Sequence, residues 1–335
     1  MLNPDQNLNP KIFDEDVEVF SMRNGFGNGI VEAAMHNKNI VGLCADLTDS
    51  TDMSEFKRRF PDRFIEVGVA EQNLATVSSG LASMGKIPFM TSYAIFSPGR
   101  NWEQIRTTIC YNNVPVKIVS SHIGVSVGPD GGSHQALEDI ALMRVLPRMT
   151  VISPCDAIEA KKAVLAAAKT NDPTYIRLSR DKTPIITTEH TPFHIGKAQV
   201  YYRGRTSSRS DLDVTIVASG YLLHRALNVA KRLEKEGKNV AVINLATIKP
   251  LDEDTLIKYA HESRAFVTVE EHQMAGGMGS AVVECLAKHF PIPVEFVAVQ
   301  DMFGQSGKAN ELIEHYGLGE KDIYAAVKRV LLRKK

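Results

Sequence analysis

RFIEVGVAEQNLATVSSGLASMGKIPFMTSYAIF, Arg63 to Phe96, decides the fold. It reads as a short apolar strand, a turn at Gly68, a helix opening on Glu71, and a second strand within IPFMTSYAIF (87–96). A carboxylate in the first turn of a helix sits well in the field of the unpaired backbone N–H groups. Most such residues are solvated caps. Glu71 stands among Val67, Val69, Ala70 and Leu74, so it is expected to point into packed protein. A buried carboxylate is costly unless it is paired or shares a proton. That state suits a group which exchanges a proton with a ligand nitrogen.

Working outward, strands alternate with helices. Asp14 to His36 is expected to be helical, with apolar residues at Phe26, Ile30 and Ala33–Ala34. IVGLCADL from Ile40 is a buried strand leading into Thr48-Asp49-Ser50, and residues 53–60 form a short helix. Beyond the central stretch come a helix from Trp102 to Asn112, the strand VPVKIVSSH (114–122) and the glycine-rich loop GVSVGPDGGSH. A helix from Leu137 to Leu146, the strand TVISP (150–154), a helix capped by Asp156 and the strand PTYIRLSR (173–180) follow. This alternation predicts a parallel sheet covered on both faces. Sites in such sheets lie beyond the carboxyl ends of the strands. Asp46, Ser50, Glu71, His122, Asp130 and Arg180 all fall in or just after such ends.

A second α/β pattern begins with VTIVASG (214–220). It continues through a helix over 221–236, NVAVINLATIKP (239–250), a helix over 253–262 and AFVTVEEH (265–272). A helix from Met278 to His289, VEFVAV (294–299) and terminal helices complete it. The expected organisation is an arm with little structure of its own over 1–14, a first domain over 15–187, a polar linker over 188–212 and a smaller α/β domain over 213–335. Gly276-Gly277-Met278-Gly279 lacks a full dinucleotide pattern and a following Lys-Ser/Thr, so it reads as a tight turn rather than a phosphate cradle. Glu270, Glu271 and His272 are adjacent on a strand and cannot face one way, which argues against a metal cluster.

Composition narrows the function classes. Lys+Arg and Asp+Glu are each 39 in 335 residues, so no charge excess suggests nucleic acid or a polyanionic surface. Cys44, Cys110, Cys155 and Cys285 form no CxxC pair and read as free buried thiols in a reducing compartment. No apolar run approaches membrane-spanning length and no signal pattern opens the chain, so a cytoplasmic protein is expected.

The words VAEQNLA, GKIPFMTSYAIF, HIGVSVGPDGGSHQALEDIALMRVLP, YIRLSRDK and IKPLDEDT occur in an order that resembles the C-terminal half of transketolase. The resemblance implies a pyrimidine-binding domain followed by a transketolase C-terminal domain. It implies transfer of a two-carbon ketol unit from a ketose phosphate to an aldose phosphate, in the pentose phosphate pathway, with thiamine diphosphate and a divalent cation such as magnesium. Glu71 would share a proton with a ring nitrogen of the cofactor's aminopyrimidine. Phe96 and Tyr93 would line the pyrimidine pocket, and Asp46 would lie near the thiazolium ring. The family usually has Phe where Tyr93 stands. Arg23, Ser50 and Arg180 would hold the substrate phosphate, for which a planar guanidinium is suited. His122, Asp130 and His134 would contact substrate hydroxyls or the reacting end, with His134 assisting proton transfer and Asp130 favouring 2-hydroxyaldehyde acceptors. The family loop commonly has Glu before this Asp and Pro after the next Gly; here Pro129 and Gly132 stand there.

The family's Gly-Asp-Gly metal motif is not found in this sequence. The resemblance therefore implies a separate N-terminal transketolase subunit that holds the diphosphate and the metal, in a heterotetramer. Alternatives are the β subunit of a thiamine-dependent 2-oxo-acid dehydrogenase component, a split transketolase for an unusual ketose phosphate, and a non-catalytic scaffold subunit. The first lacks the GPDGGSHQALED and YIRLSR words, and the last does not explain Glu71, His122, Asp130, His134 and Arg180 together.

Overall fold

Strands that are apolar along their whole length need cover on both faces, and that requirement builds the first domain. The computed structural model describes residues 1–204 and 212–334. In chain order the first domain contains β1 (Val19–Ser21), α1 (Met22–His36), β2 (Ile40–Cys44), α2 (Ser54–Arg59), β3 (Phe64–Glu66), α3 (Glu71–Ser83) and β4 (Ile87–Tyr93). Then come α4 (Trp102–Gln104), β5 (Lys117–Ser121), α5 (Asp139–Arg144), β6 (Thr150–Ile152), α6 (Ala157–Ala167), β7 (Thr174–Arg177) and β8 (Lys182–Pro184). The second part contains β9 (Gln199–Arg203), β10 (Val214–Ala218), α7 (Leu223–Lys235), β11 (Val240–Asn244), β12 (Thr247–Lys249) and α8 (Glu253–Ser263). It ends with β13 (Phe266–Gln273), α9 (Met278–His289), β14 (Val294–Val299), α10 (Ala309–His315) and α11 (Glu320–Arg333).

Among the described residues the larger sheet has the order β12-β6-β7-β5-β4-β2-β3, and the smaller one β14-β13-β10-β11-β9. Every pairing within these two sheets is parallel except β12 with β6 and β9 with β11. This is the α/β class expected. Every residue of β2, β5 and β7 is buried. Helices α1 and α6 lie on one face with Phe26, Ile30, Ala160 and Val164 in the core, while Leu74, Ile105, Ile140 and Met143 fill the other.

Several elements depart from the sequence reading. The first helix begins at Met22, not Asp14, because Val19–Ser21 pairs antiparallel with Lys182–Pro184 and the Ser21 hydroxyl caps the helix by accepting from the Arg23 N–H. The segment 1–14 is fastened down rather than loose. The Asn3 N–H donates to the Tyr201 carbonyl, the Arg203 N–H to that of Met1, and Ile12 is fully buried. The 188–212 region contains β9, which pairs with β11; its polar stretch 205–211 lies outside the described residues. The helix expected over 102–112 is a single α-turn that continues as a π-helix over Ile105–Cys110. Residues 239–250 are not one strand. Val240–Asn244 joins the smaller sheet, and Thr247–Lys249 crosses to complete the edge of the larger one.

Asp156 caps α6 as expected and does more. Its carboxylate accepts from the N–H groups of Glu159, Ile186 and Thr187, so one buried side chain ties the helix to the segment leaving the first domain. The Gly276–Gly279 turn is already served by the chain's own anion: the Glu270 carboxylate accepts from the Met278 and Gly279 N–H groups at 2.6 and 2.7 Å.

Candidate active site

Parallel strands send all their carboxyl ends to one edge, and there the chain turns through unusual backbone. Asp46, after β2, has φ 58°, and His122, after β5, has φ 60°. Non-glycine residues in this region are uncommon and cluster at functional sites.

Glu71 opens α3 and is 3 % exposed. Its Oε2 is buried with no hydrogen-bond partner among the described residues. Among the described residues it pairs with the Arg100 guanidinium at 3.7 Å, itself exposed and 5.6 Å from the Phe96 ring centroid. From below, buried Asn101 donates through Nδ2 to the Glu71 carbonyl at 2.9 Å, which fixes the start of the helix. A surface concavity lined by Val69, Glu71, Gln72, Asn73 and Arg100 opens beside the carboxylate.

Tyr93 and Phe96 leave β4 with near-parallel rings, 6.1 Å between centroids. Tyr93 stacks on His122 at 3.7 Å, and His134 meets the Phe96 ring edge-on at 5.5 Å. The four rings form one cluster between Glu71 with Arg100 and a basic end. At that end Arg23 donates to the Ser50 carbonyl at 2.8 Å and to the Arg180 carbonyl at 3.2 Å. Arg180 donates to the Val127 carbonyl at 2.8 Å, and its Nε lies 4.0 Å from an Asp130 carboxylate oxygen. Burial pulls the Arg23 guanidinium below its ordinary value, an effect that Asp52 opposes. The structure thus brings Arg23, Ser50, Glu71, Tyr93, Phe96, His122, Asp130, His134 and Arg180 to one edge. Asp46 stands apart from these contacts. It is exposed, and its N–H donates to Glu66 Oε1 at 2.7 Å.

Three contributors escaped the sequence reading. Glu66 ties the Asp46 turn to Gly68 through two backbone N–H groups. Arg100 and Asn101 flank Glu71 from a loop whose Gly-Arg-Asn sequence carries no recognisable signal.

His122 is 3 % exposed, and Ser121 Oγ lies 2.9 Å from its Nδ1. Burial, then the charges of Arg23 and Arg180, push its imidazole down from 6.5 to about 3. It is therefore neutral at working pH. The unfolded imidazole gains its proton near pH 6.5, the folded one only near 3, so stability falls as the pH drops through that window. At pH 5 the deficit is about 2 kcal/mol. His122→Asn is expected to narrow by that amount the loss of stability between roughly pH 7.5 and pH 5, measured by denaturant unfolding. An unchanged gap would show that the ring titrates normally.

The transketolase pyrimidine-binding domain model matches residues 18–185, and the transketolase C-terminal domain model matches residues 205–323. The chain belongs to the transketolase family. It is 40 % identical over 306 residues to a protein of Methanocaldococcus jannaschii named for the transketolase C-terminal section, covering 90 % of this chain and 93 % of that one. It is 36 % identical to a 6-deoxy-6-sulfo-D-fructose transketolase subunit of Clostridium sp. MSTE9, covering 96 % and 98 %. Among solved structures, one described as a split gene transketolase, inactive beta4 tetramer, superposes with a TM-score of 0.87 at 43 % identity, covering 94 % of this chain and all of that one. Transketolases depend on thiamine diphosphate. The residues here fit its aminopyrimidine half: a buried carboxylate oxygen lacking a partner, beside two near-parallel aromatic rings. Among the described residues no group of three or more His, Cys, Asp and Glu could hold a metal ion, and no helix is long and apolar enough to cross a membrane.

Proposed function

We propose that this chain is the C-terminal subunit of a split transketolase, which moves a two-carbon ketol unit from a ketose phosphate to an aldose phosphate. The observation that carries this reading is the buried, unpartnered Glu71 Oε2, joined through Phe96 and Tyr93 to an end built from Arg23 and Arg180. Thiamine diphosphate, when bound, supplies the carbanion chemistry that breaks and forms the carbon–carbon bond. Glu71 Oε2 would share a proton with a ring nitrogen of the aminopyrimidine. Phe96 and Tyr93 would provide the apolar wall for that ring. Arg23 and Arg180, with Ser50, hold the substrate phosphate away from the reacting carbon. Asp130 accepts from the hydroxyl next to the aldehyde. His122, neutral through burial, donates or accepts a hydrogen bond without carrying charge, while His134 moves protons at the substrate oxygen. Asp46, although it stands apart from the other contacts, would lie on the side of the thiazolium ring.

The divalent cation and the diphosphate belong to an N-terminal partner subunit, and two copies of each chain form a heterotetramer. Relatives named as subunits or sections, with nearly all of their length matched by this chain, support that arrangement. The site is a cytoplasmic one. Two guanidinium groups also suit a sulfonate, and the sulfosugar relative favours an unusual ketose as the second reading.

The test is a coupled assay of two-carbon transfer from xylulose 5-phosphate to ribose 5-phosphate in thiamine diphosphate and magnesium. Turnover is expected only when the chain is mixed with its partner. Turnover by the chain alone would reject the split site. An assembled but inactive pair would reject these sugars and turn attention to sulfonated ketoses.

A further inference from the structure

The loop Val125–Asp130, which ends on the acceptor-reading carboxylate, is held by its own domain, through Arg180 at the Val127 carbonyl, and also by the second one. Ser126 donates to the Glu271 carboxylate twice, through its N–H at 2.5 Å and its hydroxyl at 3.1 Å. Ser126 and Glu271 are each 1 % exposed. The approach is so close that a Cβ on Gly124, which has φ +72°, would lie 2.2 Å from the Glu271 carboxyl carbon. Glu271 is itself fixed, since its carbonyl accepts from Arg177 Nη2 at 3.1 Å. On the far side of the loop, buried Gln135 bridges the Val125 carbonyl and the Gln305 carbonyl at 3.1 and 3.0 Å. A Cβ on Gly132 would stand 2.6 Å from the Gly304 carbonyl oxygen. Gly132, which departs from the family's proline, is what admits this second-domain segment.

We propose that Glu271 is a positioning residue for acceptor recognition: with Gly304–Gln305 it sets the path of the loop and so aims Asp130 at the acceptor's 2-hydroxyl. The second domain is then part of the substrate-reading apparatus. This rests on the transketolase reading of the same site.

The experiment uses the chain assembled with its N-terminal partner, thiamine diphosphate and magnesium. kcat/KM is measured with ribose 5-phosphate and with 2-deoxyribose 5-phosphate as acceptors. Glu271→Ala is expected to cut the preference for the hydroxylated acceptor about tenfold, through loss of aim rather than loss of chemistry. Glu271→Gln keeps an oxygen for the Ser126 N–H and is expected to retain most of the preference. Asp130→Ala combined with Glu271→Ala should discriminate no worse than Asp130→Ala alone. Equal loss with both acceptors would overturn the proposal, because a merely structural residue lowers both. If Glu271→Ala does not assemble, Ser126→Ala is read the same way, and an unchanged preference overturns it. Hydrogen–deuterium exchange on the same complexes gives an answer independent of turnover. Glu271→Ala should raise exchange in 125–131 and leave α3 unchanged; no rise in 125–131 also overturns the proposal. A wild-type pair that transfers nothing would remove the parent reading, while the exchange result still decides whether Glu271 holds the loop.

Discussion

Glu71→Gln is expected to reduce two-carbon transfer by the assembled enzyme at least about a hundredfold, with the subunits still associating normally. The substitution keeps the shape, removes the titratable proton and loses the charge that faces Arg100. In the folded chain Glu71 Oε2 has no hydrogen-bond partner among the described residues, so the amide breaks no hydrogen bond to that oxygen. Asn101 holds the Glu71 backbone, not its carboxylate, and keeps the first turn of α3 in place. Among the described residues, the ion pair that the amide removes is the one with Arg100 at 3.7 Å, and Arg100 is 58 % exposed. Exposed pairs of this kind contribute roughly 0–1 kcal/mol. The effect should therefore fall on the chemistry and not on the fold. Steady-state rates together with light scattering of the complex separate the two. Turnover within a few fold of wild type would reject proton sharing at Glu71.

Asp139→Ala is the substitution expected to hurt stability most. Asp139 and Arg177 are each 1 % exposed and form a two-point ion pair, Nε to Oδ2 at 2.8 Å and Nη2 to Oδ1 at 3.0 Å. The Tyr175 hydroxyl donates to the same carboxylate at 2.8 Å. Burial raises the Asp139 carboxyl, but the Arg177 guanidinium, its hydrogen bonds, His272 and Tyr175 together hold it below the usual carboxylate range. Removing the carboxylate strands a guanidinium in protein, at a cost of about 3–5 kcal/mol. Most folded domains have only about 5–15 kcal/mol in hand. Urea unfolding of the chain measures this directly, and a loss below roughly 1 kcal/mol would mean that Arg177 finds another anion or water. Replacing Asp139 and Arg177 together by Leu and Met should recover much of the loss, since no charge is then left unpaired.

The sequence carried the order of strands and helices in the first domain because that order is written locally. IVGLC and KIVSS are apolar or small almost throughout, and Asp156 stands where a cap must stand. The convergence of Glu71, His122, Asp130 and Arg180 on one edge followed from parallel strands alone. Apart from the π-helix over Ile105–Cys110, the failures are non-local. Nothing near Leu2 or Ile12 says that residues 1–14 will lie against β9. Nothing in NVAVINLATIKP marks where the chain leaves one sheet for the other. Adjacent Glu270, Glu271 and His272 alternate on β13, and the alternation has a use. Glu270 faces the start of α9 while Glu271 faces the loop over Val125–Asp130. Arg100 and Asn101 acquire their part only when the turn after β4 brings them beside α3.

The crossing strand Thr247–Lys249 also sets a timetable. The ribosome releases residues in order, and domains begin to fold as they emerge. When β7 has appeared, β6 offers Val151 and Ile152 on an open sheet edge, because their eventual neighbour has not yet been made. Open apolar edges invite pairing with other chains. The nascent first half therefore waits, exposed, until much of the second has been translated, and only the arrival of Thr247 closes it. A chain interrupted in that interval would carry a complete set of site residues on an unfinished sheet.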